Sequence, residues 1–218
     1  MATRSGIGGL VLCGGTSRRM GRPKAFLRGP DGLTLLERTV ALLHRAGCYP
    51  LAIAIAPGQP MPIWSSAPLV YPSPAVAIDH APGLGPLAGI AAGLEALRPW
   101  CQRVCVLPCD LPHLNLAAVQ ALLATAGDGA ACVRQAGWAN PLLAVYPSTL
   151  GERAMELLRQ GRPRADGLLA ELSDLMQLEA LETDCCWHDC DTAEDWDILQ
   201  RGRDKLSGSR QTLTGGDG

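Results

Sequence analysis

Four cationic residues, Arg18, Arg19, Arg22 and Lys24, fall within seven positions, shortly after the pair Gly14-Gly15. A guanidinium can grip a phosphate group through two donors, while a lysine ammonium acts as a mobile point charge. Glycines let the backbone come close to a ligand, and their amides can cradle anionic oxygens. The segment Leu12–Ala25 therefore reads as a polyphosphate pocket. It is not the G-x-x-x-x-G-K-[ST] phosphate loop, since Pro23 precedes Lys24 and Ala25 follows it. Nor does it contain G-x-G-x-x-G.

A polyphosphate bound with a hard divalent ion needs one or two carboxylates nearby. Asp110 is the first candidate, because it stands just past the apolar run Arg103–Leu107 in a turn flanked by Pro108 and Pro112. Asp79 follows a second extended piece, Ala75–Ile78. Asp189 and Asp191 stand two apart, so they share a side of an extended chain or converge on a turn. They also precede Thr192, where acidic residues favour a helix start. The run Cys185-Cys186-Trp187-His188-Asp189-Cys190 lacks the C-x₂-C spacing of a zinc site. Cys101, Cys105 and Cys109 read as free buried thiols, and Cys13 as a small packing residue. His80, His113 and His188 show no triad arrangement.

These side chains need elements to hold them. Gly9–Cys13 reads as a buried strand broken by Gly14-Gly15. Thr34-Leu35-Leu36-Glu37 is a capping box that opens a helix to about Arg45. Strands are expected at Leu51–Ala56, Leu69–Tyr71, Ala75–Ile78, Arg103–Leu107, Gly129–Arg134 and Pro141–Tyr146. Helical patterns cover Leu87–Leu97 and Leu116–Ala124. Thr149-Leu150-Gly151-Glu152 repeats the capping pattern, and a last helix starts at Thr192. Such alternation predicts an α/β layer fold with a mostly parallel sheet. The Gly14 loop and Asp110 both follow strand C-termini, where open α/β sheets bind ligands.

The 218 residues suit one domain, assigned to 1–206, with a polar Gly-rich tail at 207–218 that is expected to be disordered. Lys and Arg number 19 against 21 Asp and Glu, a balance that argues against binding nucleic acid through a basic surface. Aromatic residues are only 4%, too few for a stacking platform. The apolar run ending at Cys13 is too short to cross a membrane. Nine cysteines without a targeting segment point to free thiols in the cytoplasm.

The pattern Gly14-Gly15-x-x-Arg18-Arg19-Met20-Gly21-x-x-Lys24 resembles the signature loop of the molybdenum cofactor guanylyltransferases. Asp79, Gly85-Pro86-Leu87-Ala88-Gly89-Ile90 and Pro108-Cys109-Asp110-Leu111-Pro112 follow in the same order, then Asp189-Cys190-Asp191-Thr192-Ala193-Glu194. The resemblance covers about residues 7–200 and implies a three-layer Rossmann-like nucleotidyltransferase fold. It implies transfer from GTP, with Mg2+, to the phosphate of molybdopterin or the molybdenum cofactor, with pyrophosphate released. Contacts with other cofactor biosynthesis proteins would be transient. By resemblance, Leu12, Cys13, Gly14, Gly15, Lys24, Asp79, Gly85, Pro86 and Leu87 bind the nucleotide, and Asp110 binds the metal. Lys24, Arg18 and Arg19 would stabilise the reacting phosphates. Asp189 and Asp191 would serve the acceptor or supply a second carboxylate. Related enzymes often carry Asn-x-Asn-Thr-Pro-Glu at that last stretch. The Asp-x-Asp form is similar to the wider group, cytidylyltransferases included, so a CTP-dependent enzyme is the alternative. A nucleotide-binding protein without turnover is the reading from another class.

Overall fold

A computed structural model describes residues 6–14, 24–29, 31–60, 73–79, 83–180 and 185–187. The expected strand at 69–71, the helix starting at Thr192 and the tail at 207–218 lie outside the described residues.

The first half alternates strands and helices. Strand β1 (Ile7–Leu12) leads through a 3-10 turn at Lys24–Phe26 to helix α1 (Leu35–Arg45) and strand β2 (Leu51–Ile55). Strand β3 (Ala75–Ile78), helix α2 (Pro86–Leu97) and strand β4 (Arg103–Pro108) follow. Next come helix α3 (Leu116–Ala126) and a hairpin of β5 (Ala130–Gln135) and β6 (Trp138–Pro147). Helices α4 (Leu150–Arg159) and α5 (Asp166–Leu169), strand β7 (Leu175–Ala180) and a 3-10 turn at Cys185–Trp187 complete the described elements.

The described strands form one sheet in the order β3-β2-β1-β4-β6-β5-β7. β3, β2, β1 and β4 are mutually parallel, and β7 runs parallel to β5. Only β6 is reversed, antiparallel to both β4 and β5. The central strands are buried on both faces, so they are continuous apolar runs rather than alternating ones. Side-chain alternation divides the core in two. Val11, Ile53, Cys105, Leu107 and Val145 face α1 and α3, while Leu10, Ala52, Val104, Val106 and Ala144 face α2, α4 and α5. The result is three layers, helix–sheet–helix. Among the described residues no helix is long and apolar enough to cross a membrane.

The helix starts show how local chemistry sets this frame. At α1 the Thr34 hydroxyl accepts from the Glu37 N–H at 3.1 Å, and the Glu37 carboxylate accepts from the Thr34 N–H at 2.7 Å. Such a cap contributes about 1 kcal/mol. Thr149-x-x-Glu152 has the same spacing but makes no such cap: Thr149 is helical and Glu152 pairs with Arg98, the residue just past the C-terminal end of α2. Buried Ser148 ties this corner down instead, donating from its hydroxyl to the Cys101 carbonyl and from its N–H to the Gln102 carbonyl, both at 2.8 Å.

Two elements have no counterpart in the sequence reading. β7 lies at the sheet edge with Met176, Gln177 and Glu179 exposed, and α5 has only four residues. Neither carries a strong apolar period.

Candidate functional site

The C-terminal ends of β1 to β4 lie along one edge of the sheet because the four strands are parallel. Cys13-Gly14, Ala56–Gln59, Asp79 and Cys109-Asp110 are the residues that follow these ends. The β5–β6 turn lies on the same edge.

Lys24 and Asp110 meet there. The Lys24 Nζ donates to Asp110 Oδ2 at 3.1 Å, with both side chains partly buried. Lys24 opens its 3-10 turn, which is anchored by buried Ala25 and by buried Leu27, whose N–H returns to the Lys24 carbonyl at 3.0 Å. Asp110 is held by the β1–β4 ladder, which ends in the Cys109 N–H to Leu12 carbonyl bond at 3.2 Å. An ammonium and a carboxylate are thus set side by side at the mouth of the sheet, one suited to a phosphate oxygen and the other to a hard cation.

Asp79 is buried, and its N–H donates to the Ile55 carbonyl at 3.0 Å. The sheet order separates β3 from β4 by three strand spacings, roughly 14 Å at about 4.8 Å each. Asp79 and Asp110 therefore cannot share one ion. They stand far enough apart to address opposite ends of a nucleotide.

The described part of the glycine loop is permissive rather than strained. Gly14 does not adopt the left-handed φ, and a Cβ there would meet only the Ala56 N, at 3.9 Å. No neighbour among the described residues requires glycine at 14. Gly85 differs: with φ of 79° it caps α2 ahead of Pro86, and no side chain caps that helix start. Leu87 is fully buried, as are Leu12 and Cys13 apart from a few per cent, so contacts from these positions come from the backbone. At Gly89 the missing Cβ faces Ala54 and Leu12 at 3.4 and 3.5 Å, which is helix–sheet packing. Gly15, Arg18, Arg19, Asp189 and Asp191 lie outside the described residues, as do His80 and His188.

Cys13 and Cys109 sit beneath this edge, both buried. The hydrogen bond between their thiols, then burial, then the charges of Cys109 and Asp110 push the Cys13 thiol well above its ordinary range. Cys13 is a protonated packing residue. Cys101, Cys105 and Cys109 are buried thiols that form no disulfide among the described residues. Among the described residues no group of three His, Cys, Asp or Glu could hold a metal alone.

Gln59 went unnoticed in the sequence. Its Nε2 donates to the Cys13 carbonyl at 2.8 Å, and its Oε1 accepts from the Ala56 N–H at 3.0 Å. A Pro-Gly dipeptide two residues after a strand signals the turn that carries it, but nothing local tells where the amide reaches.

The model of the MobA-like NTP transferase domain matches residues 9–175, which includes β1, Lys24, Asp79 and Asp110. The chain belongs to the MobA-like NTP transferase family. It is a nucleotidyltransferase of that family. A Mycobacterium tuberculosis protein described as a probable molybdenum cofactor guanylyltransferase is 35% identical over 176 residues, covering 79% of this chain and 83% of that protein. Solved structures share the MobA-like architecture. Molybdopterin-guanine dinucleotide biosynthesis protein A from Archaeoglobus fulgidus matches with a TM-score of 0.66 at 18% identity, over 90% of this chain and 98% of that one. The 2-C-methyl-D-erythritol 4-phosphate cytidylyltransferase of Thermus thermophilus matches at 0.61 and 20% identity, over 89% and 97% of the two chains. At such identities the structures establish the shared fold.

Proposed function

We propose that this nucleotidyltransferase moves the guanylyl group of GTP to the phosphate of molybdopterin or the molybdenum cofactor, releasing pyrophosphate. The observation that carries the reading is the Lys24–Asp110 pair, 3.1 Å apart beside Gly14, in a chain 35% identical to the mycobacterial relative.

In this reading an acceptor phosphate oxygen attacks the α-phosphorus of GTP. One P–O bond forms and the bond to the departing pyrophosphate breaks. The nucleophile is already anionic, so no general base and no covalent intermediate are needed. The protein contributes positioning and charge. Lys24 stabilises charge on the α-phosphate and leaving group, joined by Arg18 and Arg19. Backbone groups of Leu12, Cys13, Gly14 and Gly15 hold the phosphates. Asp79, with the backbone at Gly85, Pro86 and Leu87, serves the base end. Asp189 and Asp191 serve the acceptor.

The donor set at Asp110 fits magnesium. Its carboxylate is a hard oxygen donor, partly open at the sheet edge, and a lone carboxylate suffices when phosphates and water fill the other positions. Magnesium held by Asp110 would supply charge neutralisation at the phosphates. The free cysteines suit a reducing compartment, which we take to be the cytoplasm.

The Asp189-Cys190-Asp191 sequence favours a second reading, a CTP-dependent molybdopterin cytidylyltransferase. Pyrophosphate release from GTP, CTP, ATP and UTP, each with molybdopterin and magnesium, tests both. Release with GTP alone supports the first. Release with CTP alone replaces it, and release with neither overturns both.

A further inference from the structure

The geometry points to Gln59 as a positioning residue for the nucleotide loop, acting as an inserted rung of the β1–β2 ladder; we propose that its carboxamide aims the Gly14 amide at the phosphates. The inference rests on the nucleotide reading above.

In the parallel β1–β2 ladder Leu12 pairs with Ala54, and the Cys13 N–H donates to the Ala54 carbonyl at 2.9 Å. The next bond of a regular parallel ladder would run from the Ala56 N–H to the Cys13 carbonyl. That bond is absent. The Ala56 N–H donates to Gln59 Oε1 and the Cys13 carbonyl accepts from Gln59 Nε2, at 3.0 and 2.8 Å. One primary amide stands between two backbone groups that would otherwise pair. Both are satisfied, while β1 and β2 are spread by the width of that amide where the sheet opens.

The turn that delivers Gln59 is built for this. Pro57 and Gly58 occupy its central positions, Gly58 has φ of 76°, and the Gln59 N–H returns to the Ala56 carbonyl at 3.0 Å. Pro followed by a left-handed Gly is the pattern of a type II turn. The side chain is therefore presented from a closed turn.

Gln59 reaches the loop through the Cys13–Gly14 peptide. That unit is planar and trans, so its carbonyl and N–H point in opposite directions. With the Cys13 carbonyl drawn toward β2, the Gly14 N–H faces β4, the side on which Cys109 and Asp110 stand. Among the described residues it donates to no backbone carbonyl there. A phosphate oxygen beside Lys24 and Asp110 is the acceptor this orientation suits. Without Gln59 the Cys13 carbonyl can regain a partner only if the Ala56 N–H closes onto it, which draws β1 and β2 together and shifts the Gly14 amide away from this position.

The test is direct nucleotide titration and steady-state kinetics on wild type, Gln59→Glu and Gln59→Ala, in magnesium. The probe is whichever of GTP, CTP, ATP or UTP the wild type binds. Gln59→Glu keeps an acceptor for the Ala56 N–H but sets a carboxylate oxygen against the Cys13 carbonyl, so it replaces an attraction by a repulsion. Gln59→Ala should weaken nucleotide binding by roughly tenfold, about the worth of one well-placed hydrogen bond, and Gln59→Glu by at least as much. The acceptor KM should stay within about twofold, and Gln59→Ala, in a half-buried turn, should melt within a few degrees of wild type. Wild-type nucleotide affinity in both variants overturns the inference. So does a loss of kcat and melting temperature with unchanged nucleotide affinity, the mark of a role in folding alone. A wild type that binds none of the four nucleotides overturns the nucleotide reading and this inference with it.

Discussion

The Lys24 ammonium lies 3.1 Å from the Asp110 carboxylate although 86 positions separate them in the chain. The contact joins the loop after β1 to the turn after β4, the two segments from which the phosphate and metal functions were expected. It brings one positive and one negative group to the same point of the sheet edge before any ligand is considered.

Lys24→Ala is expected to lower kcat by a factor on the order of 10²–10³, the usual loss when a preorganised donor to a charged transition state is removed. Stability should change little, because partly exposed ion pairs contribute about 0–1 kcal/mol. Kinetics beside a melting curve check both. Unaltered turnover at saturating substrates removes Lys24 from the chemistry.

Asp110→Asn should raise the magnesium needed for half-maximal rate by about tenfold or more, given that even outer-shell changes cost 10–100-fold. Asp79→Asn should leave the magnesium requirement unchanged and raise the nucleotide KM, since β3 and β4 are three strands apart. Magnesium titrations of the two variants side by side decide the assignment. The reverse pattern places the metal at Asp79.

GTP with magnesium is expected to raise the melting temperature more than CTP does. A ligand that binds only the folded state stabilises it by about 2.7 kcal/mol at a hundred times its Kd. Differential scanning fluorimetry with matched nucleotide concentrations reads this directly. A larger shift with CTP, accompanied by CTP turnover, reverses the base assignment.

Tyr146 gives a prediction that is independent of the activity. Its ring is fully buried and its hydroxyl donates to the Pro141 carbonyl at 2.8 Å, where the β5–β6 register shifts. Tyr146→Phe should cost about 1 kcal/mol, or roughly 2–4 °C of melting temperature for a chain of this size. Burial, then the nearby Cys132, raises the phenol far above its model-compound value of 10.0. A folded-state pKa above the unfolded one gives stability that is whole below pH 10 and falls as pH rises further. Ultraviolet phenolate titration should show this tyrosine ionising only as the protein unfolds. A native-state phenolate signal near pH 10 that disappears in Tyr146→Phe contradicts the burial.

Much of the architecture was legible in local residue patterns. The apolar runs that became β1, β2 and β4, the Thr34–Glu37 box and the Pro-flanked turn at Asp110 all report short-range physics: strand propensity, capping and chain breakers. The α/β class follows from their alternation. Local patterns misled at Thr149, where the capping spacing exists but Glu152 finds Arg98 and Ser148 finds Cys101. They were silent on β7, whose exposed edge position needs no strong apolar period. What tertiary structure alone decided is which distant segments meet. Strand order puts Asp110 next to β1 and Asp79 three strands away, register brings Lys24 to Asp110, and a turn after β2 carries the Gln59 amide to Cys13. These contacts join positions 46 to 86 residues apart. They depend on how strands are ordered in the sheet, which short-range propensity does not encode.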